Sequence, residues 1–112
     1  MRRIAIVLGF GFAAVASAQT PPGVPWKAKS LQVLPKDISK EDIKALMKKQ
    51  AQALGVDCDH CHKLPDMDQD TDKKQAARQM MRMVRDVNDH YFKGKPKVEC
   101  LTCHRGEAKP KL

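Results

Sequence analysis

Large aromatic side chains are scarce in this 112-residue sequence, which has three Phe, one Tyr and one Trp. Phe10 and Phe12 lie in an apolar run near the N-terminus, so Trp26, Tyr91 and Phe92 are left for the rest of the chain. Small domains with so few core-forming side chains usually need additional stabilisation from disulfides, a metal or a large cofactor. The composition therefore argues against a self-sufficient hydrophobic core.

Long apolar runs are also missing, except at the N-terminus. Arg2 and Arg3 precede an apolar run over residues 4–15, and Ala-Ser-Ala at residues 16–18 has the small side chains of a cleavage site. These features predict a signal peptide over residues 1–18. A retained transmembrane anchor is the alternative, but the run is shorter than the roughly 20 residues that span a bilayer. We therefore expect export and cleavage, with a periplasmic or otherwise exported mature protein.

Acidic residues are outnumbered by basic ones, 13 to 21, which gives a formal net charge of +8. Loss of Arg2 and Arg3 with the signal peptide lowers this +8 to +6. A basic surface suits nucleic acid, an anionic membrane or an acidic protein, although many of the lysines could simply cover solvated helix faces. Export makes nucleic acid the weakest choice. We expect an acidic protein partner, or peripheral association with a membrane complex, and no nucleic acid.

The mature chain is predicted to contain an N-terminal segment and one domain. Residues 19–35 are rich in Pro and lack periodicity, so we expect an extended segment there. Residues 36–112 form the predicted domain. No stretch alternates convincingly between apolar and polar residues, apart from a possible short extended piece at residues 31–34. The predicted fold class is mainly α, with little or no strand.

Two helices are predicted in this domain, each followed by a turn. Ser39 and Asp42 form a capping box and Gly55 is a stop signal, which together bound the first helix. The second helix is expected from about residue 70 or 71 to Phe92, and to be ended by Gly94 and Pro96. It carries an apolar stripe that must cover something apolar. The stripe consists of Ala76, Ala77, Met80, Met83, Val84, Val87 and Tyr91.

All four cysteines fall into two copies of the pattern Cys-x-x-Cys-His. The copies are Cys58-Asp59-His60-Cys61-His62 and Cys100-Leu101-Thr102-Cys103-His104. This pattern is the attachment signature of c-type haem. Two thiols three residues apart on one helical turn can reach the two vinyl groups of one porphyrin, and the next residue can bind its iron. The sequence therefore predicts two covalently bound haem c groups, with His62 and His104 as proximal iron ligands.

Three other uses of the same cysteines are possible. A tetrahedral zinc site could take all four sulfurs, but zinc does not require a His after each pair. A thioredoxin-like redox motif needs a pair beside a strand and a helix. Two structural disulfides would suit an exported protein. The repeated His after each pair favours haem over these alternatives.

Each iron then needs a sixth ligand or an open site. The candidate side chains are Met47, Met67, Met80, Met81, Met83, His60 and His90. Met47 lies on the apolar stripe of the first helix, where ligation and ordinary core packing fit equally well. Met80 and Met83 share the stripe of the second helix. Met81 lies about 100° away from Met80 and is expected to be a partly exposed packing residue.

The two other histidines are weaker ligand candidates. His60 lies inside the first motif and is expected to face solvent. His90 lies near the end of the second helix, where a His usually contacts the terminal carbonyl groups. His90 remains a candidate distal ligand, as an alternative to Met80 and Met83.

The residues around the motifs resemble a known family. The segments LPKDIS, ALGVDCDHCH, AARQMMRMVRDVN and VECLTCHRG occur in this order. They resemble the cytochrome subunit of photosynthetic reaction centres and its relatives in non-phototrophic bacteria, over about residues 31–110. The resemblance implies repeated units of helix, turn and attachment motif, in which Met47 and Met80 are the distal iron ligands. The full subunit has two pairs of haems, whereas this chain has one pair.

Irons bound by both His and Met have no open coordination site, which favours electron transfer over substrate turnover. We therefore expect a periplasmic dihaem c-type cytochrome that transfers single electrons between redox partners, and not an enzyme. A dihaem peroxidase would need one haem that opens to peroxide. A haem-based sensor would need a fused signalling domain. The sequence contains no sign of either feature.

Overall fold

The computed structural model describes residues 26–110 as a helical fold. Its elements are α1 (Lys40–Leu54), a 3₁₀ turn (Cys58–His60), α2 (Asp72–Phe92) and the short α3 (Cys100–His104). No strand occurs in this part of the chain, so the prediction of a mainly α protein is confirmed. The predicted signal peptide lies outside the described residues.

The extended piece that the sequence allows at residues 31–34 does not form a strand. Residues 32–34 form bends, because an extended segment needs a partner to complete its backbone hydrogen bonds. The isolated β-bridge within residues 26–110 joins Lys63 and Asp66 instead. No helix in the same range is long and apolar enough to cross a membrane.

Both ends of α1 lie where its capping residues predict. The Ser39 hydroxyl accepts a hydrogen bond from the Asp42 backbone N–H at 3.0 Å and donates one to the Asp42 carboxylate at 2.7 Å. Gly55 follows the helix with a φ of 63°. The Val56 N–H then donates to the Ala51 carbonyl at 3.1 Å. This left-handed glycine ends the helix by turning the chain away from its axis.

The bounds of α2 are also close to the predicted ones, but its end differs in detail. Thr71 precedes the helix, and its Oγ1 accepts a hydrogen bond from the Lys74 N–H at 3.2 Å. After Phe92, Lys93 is the first residue in the left-handed conformation, with a φ of 54°. Gly94 follows with a φ of 75°. Two left-handed residues, and not the glycine alone, therefore stop the helix.

The described part of the chain has almost no hydrophobic core. Ala53 is its one buried apolar residue, only 3% exposed. The large apolar side chains that are exposed are Trp26, Leu64, Met67, Met80, Met83, Tyr91, Phe92 and Leu101. Fully covering one such side chain contributes roughly 1.5–3 kcal/mol. Much of the apolar surface of this chain is thus available to be covered by something other than its own residues.

The two halves of the fold meet where the end of α1 touches the chain just after α3. The Gly106 N–H donates to the Ala53 carbonyl at 2.8 Å. Lys49 of α1 also pairs with Glu99, the residue before α3, at 2.7 Å. The helix α3 contacts both α1 and α2. The second cysteine motif is therefore held against the helix that precedes the first.

We expect Gly55→Ala to destabilise the fold more than Gly94→Ala. Both glycines have positive φ, 63° and 75°, where another residue costs about 1–3 kcal/mol. A Cβ at Gly55 would also lie 2.0 Å from the Gly106 carbonyl oxygen, whereas at Gly94 the nearest heavy atom is 3.7 Å away. The overlap predicts a further loss of about 1–3 kcal/mol, measured by denaturant unfolding. Equal losses in the two variants would contradict the close packing of Gly55 on Gly106.

Candidate functional site

The first cysteine motif forms a tight turn directly after α1. Only the three residues 55–57 separate α1 from Cys58. The Cys61 and His62 N–H groups both donate to the Cys58 carbonyl, at 3.4 and 3.0 Å. These bonds hold both cysteines and the histidine on a single turn, as the attachment chemistry requires.

The second cysteine motif forms α3, after the seven residues 93–99. The Glu99 N–H donates to Thr102 Oγ1 at 3.0 Å, so a side chain between the two cysteines caps the start of the helix. Arg105 follows with a φ of 52°, and its N–H donates to the Leu101 carbonyl at 3.1 Å. Both motifs are thus single turns, but the second is an α-helix, and the segment that connects it to the preceding helix is longer.

A backbone carbonyl orients each motif histidine. His62 Nδ1 lies 3.2 Å from the Met67 carbonyl oxygen, and His104 Nδ1 lies 3.0 Å from the Glu107 carbonyl oxygen. Because a carbonyl only accepts, Nδ1 carries the proton in each ring and Nε2 has the free lone pair. Histidines that bind metal ions usually have this arrangement, with the second nitrogen bonded to a carbonyl or carboxylate. The donor set of both motifs therefore fits a haem iron.

The four cysteines are free thiols and do not cluster with one another. Cys61 and Cys100 are half-buried, while Cys58 and Cys103 are exposed. Within residues 26–110, no group of three or more Cys, His, Asp or Glu side chains is close enough to hold a metal ion, so the sulfurs do not form a tetrahedral zinc set. Burial raises the pKa of the Cys61 thiol above its ordinary value.

The predicted distal ligands lie on two different helices. Met47 is half-buried on α1, eleven residues before Cys58. Met80 and Met83 are 43% and 47% exposed on α2. They lie about 60° apart around the helix axis, on the predicted apolar stripe. The stripe thus presents two methionine sulfurs at the surface of α2.

A second face of α2 packs inward, and the sequence indicated it only in part. Met81 is half-buried and accepts a hydrogen bond from Gln50 Nε2 at 3.3 Å, so it is a packing residue as predicted. Asn88, on the same face, is only 8% exposed. Its Oδ1 accepts from the N–H groups of Lys97 and Val98, and its Nδ2 donates to the Val98 carbonyl. Hydrophobic periodicity does not identify such a buried amide, because Asn counts as polar.

The two other histidines differ from expectation. His60, which was expected to face solvent, is half-buried. His90 is exposed, and its ring centroid lies 6.4 Å from that of Tyr91. The expected hydrogen bond from His90 to the last carbonyls of α2 does not form within residues 26–110. One of these carbonyls, that of Asn88, accepts from the Gly94 N–H at 3.0 Å instead.

Thr71 connects the first motif to α2, a role that its sequence position did not indicate. Its Oγ1 donates to the Cys61 carbonyl at 2.7 Å while it caps α2. Lys74 in the first turn of α2 donates from Nζ to the Met67 carbonyl at 2.6 Å. This is the same carbonyl that orients His62. The start of α2 therefore supports the geometry of the first motif.

Comparisons with known proteins agree on one family. Residues 26–112 match the family described as photosynthetic reaction centre cytochrome C subunit. Over 101 aligned positions, which cover 69% of this chain, the sequence is 32% identical to the photosynthetic reaction center cytochrome c subunit of Rubrivivax gelatinosus. Over 58 positions, or 46% of the chain, it is 43% identical to cytochrome c-554 of Chloroflexus aurantiacus. The matches span only 28% and 14% of these relatives, and no solved structure matches significantly.

Proposed function

This chain belongs to the photosynthetic reaction centre cytochrome C subunit family, and on that basis we propose that it is a dihaem c-type cytochrome that transfers single electrons between redox partners. One observation carries the proposal. Each of the two cysteine motifs is a single turn whose histidine donates from Nδ1 to a backbone carbonyl and keeps Nε2 free for iron. The family resemblance seen in the sequence is confirmed by the comparisons.

The site residues have separate roles in holding the two groups. Thioether bonds would form at Cys58 and Cys61 in the first motif and at Cys100 and Cys103 in the second. The proposed iron ligands are His62 with Met47, and His104 with Met80. A haem with two protein ligands supplies one-electron exchange and leaves no position open for a substrate. We therefore assign the chain as a carrier or electron-transfer subunit and not as an enzyme.

The connections between the two motifs support a relay between two haems. Thr71 bonds the first motif to α2 through the Cys61 carbonyl. Gly106 bonds the end of the second motif to α1 through the Ala53 carbonyl. Sites built on elements that are tied to each other keep a constant separation. A constant separation suits electron transfer from one haem to the other.

We further propose that the protein works in the periplasm, after removal of the signal peptide predicted over residues 1–18. The relative from Rubrivivax gelatinosus is named as a subunit of a photosynthetic reaction center. For this chain, that name supports peripheral association with a membrane complex. Electrons would then pass between this complex and a second redox protein.

A row of lysines on α1 supports an acidic partner. Lys40, Lys44 and Lys48 are all exposed, and their four-residue spacing places them about 6 Å apart along one side of the helix. None of the three forms an ion pair with another of the residues 26–110. The row flanks Met47, three residues after Lys44. These unpaired positive charges would attract an acidic surface towards the first haem site.

We expect electron transfer from the reduced holoprotein to an acidic redox protein to slow as salt rises. The screening length falls from ~10 Å at 0.1 M salt to ~3 Å at 1 M, and electrostatic steering changes association rates by about 10- to 1000-fold. At low salt, charge reversal at all three lysines of the row should slow electron transfer nearly as much as high salt slows it in the wild type. Stopped-flow absorbance of the haems measures the rates. Reversal of Lys93, Lys95 and Lys97 is the matched control, since it changes the net charge equally, and equal losses would contradict docking at α1.

Ligand binding and peroxide turnover, measured on the same holoprotein, distinguish a carrier from a peroxidase. With both irons bound by two side chains, carbon monoxide and cyanide should bind slowly and weakly, and peroxide should turn over little. Rapid peroxide reduction at one haem would overturn the carrier function. A rate that does not depend on salt would remove the acidic partner but leave the carrier.

A further inference from the structure

The side chain of Asn88 makes three hydrogen bonds to one short stretch of backbone. Its Oδ1 accepts from the Lys97 N–H at 3.1 Å and from the Val98 N–H at 2.9 Å. Its Nδ2 donates to the Val98 carbonyl at 2.9 Å. Asn88 is buried, and within residues 26–110 it is the one buried polar residue. It satisfies backbone groups that have no strand partner.

This stretch is the approach to the second cysteine motif. In the first unit only residues 55–57 lie between α1 and Cys58, whereas in the second unit residues 93–99 lie between α2 and Cys100. A longer connection has more backbone freedom to lose on folding. The bonds of Asn88 reach this connection two residues before Cys100. They compensate for its extra length.

Asn88 also belongs to the helix that carries Met80. The two residues are eight positions apart, about 12 Å along the axis of α2. One side chain therefore joins the helix of the proposed distal ligand to the backbone that leads into α3, with Cys100 and His104.

We propose that Asn88 is the positioning residue of the second haem site. Its carboxamide sets where α3 lies relative to α2, and so sets the spacing between His104 and Met80 that a haem must match. This assignment rests on the proposed dihaem function. Asn88 acts through the backbone of Lys97 and Val98 and binds no iron itself.

The chemistry of the carboxamide is specific for this role. An Asn side chain accepts at one atom and donates at the other, which matches the two N–H groups and the one carbonyl that it faces. An ionised Asp keeps the two acceptor bonds but turns an oxygen towards the Val98 carbonyl oxygen. An Ala removes all three bonds and leaves the N–H and the C=O of half-buried Val98 without a partner, which is costly, whereas the Lys97 N–H keeps a bond to the Lys95 carbonyl at 2.8 Å.

The test compares Asn88→Asp and Asn88→Ala with the wild type, all as full-length chains matured with haem. Proteolysis with mass spectrometry measures haem occupancy at each motif separately, and optical redox titration measures the potential of each haem. Both variants should lose occupancy at Cys100 and Cys103 several-fold and shift the potential of the haem that remains there. The first haem should keep its occupancy and its potential. The control is Asp86→Asn, the reverse exchange of Asp and Asn at an exposed position of α2. It should change neither the occupancy nor the potential of either haem.

Two results would overturn the assignment. Equal losses at both motifs would show that Asn88 contributes only to general stability. A second haem unchanged in Asn88→Asp would show that the donor bond to Val98 does not position the motif. If Asn88→Ala yields no holoprotein, Asn88→Asp decides, because it keeps two of the three bonds. A wild-type chain without haem would instead refute the proposed function, whatever Asn88 does.

Discussion

Replacement of both Cys100 and Cys103 by alanine is expected to leave one haem, attached in the first motif, and a poorly folded second half. The reason is the weak core, in which Ala53 is the one buried apolar residue among residues 26–110. Met80 and Met83 of α2 are nearly half exposed. A covalently held haem would cover such side chains, each worth up to roughly 1.5–3 kcal/mol. Losing several of these contacts approaches the whole stability of a small domain, about 5–15 kcal/mol.

Intact mass spectrometry and the pyridine haemochrome spectrum count the haems in this variant, and circular dichroism with limited proteolysis reports on α2 and α3. The matched control replaces Cys58 and Cys61 by alanine. It should keep a haem at the second motif only. A wild-type protein with no haem, or with zinc bound in its place, would contradict the assignment of both motifs.

Met80→Ala is expected to remove the weak far-red absorption band of the second ferric haem and to lower its reduction potential. A Met ligand raises the potential of a haem iron relative to a second His. Loss of the sulfur also opens a coordination position. Carbon monoxide should therefore bind the reduced second haem quickly in this variant, while the first haem stays closed. Redox titration and carbon monoxide binding kinetics measure these changes.

Met83→Ala is the matched control for this experiment. It removes the same type of side chain from the same helix, and at 47% against 43% the two side chains are almost equally exposed. Met47→Ala should cause the corresponding changes at the first haem. If Met80→Ala leaves the band and the potential unchanged, Met80 is not the ligand. The distal ligand is then Met83 or His90, whichever residue changes the band and the potential when it is replaced.

Short-range signals were sufficient to predict α1 and α2. Ser39 caps α1 through Asp42, three residues away, and Gly55 ends it through a local left-handed turn. Such interactions lie within one turn, so the residue types alone predict where they form. The cysteine motifs are predictable for the same reason, since each spans a single turn. Met47 and Met80 stay predictions from the family resemblance, because helical periodicity places Met80 and Met83 on one stripe.

The sequence by itself determined α1 and α2, and the two Cys-x-x-Cys-His motifs with the chemistry that their cysteines and histidines can perform. Only the tertiary structure decided how the motifs are held. Asn88 and Thr71 bond to backbone ten positions away, and Gly55 packs on Gly106 from the other end of the domain. These contacts depend on where a distant stretch of backbone presents its N–H and C=O groups. Residue type and periodicity carry no information about that placement, because every residue but proline presents the same two groups.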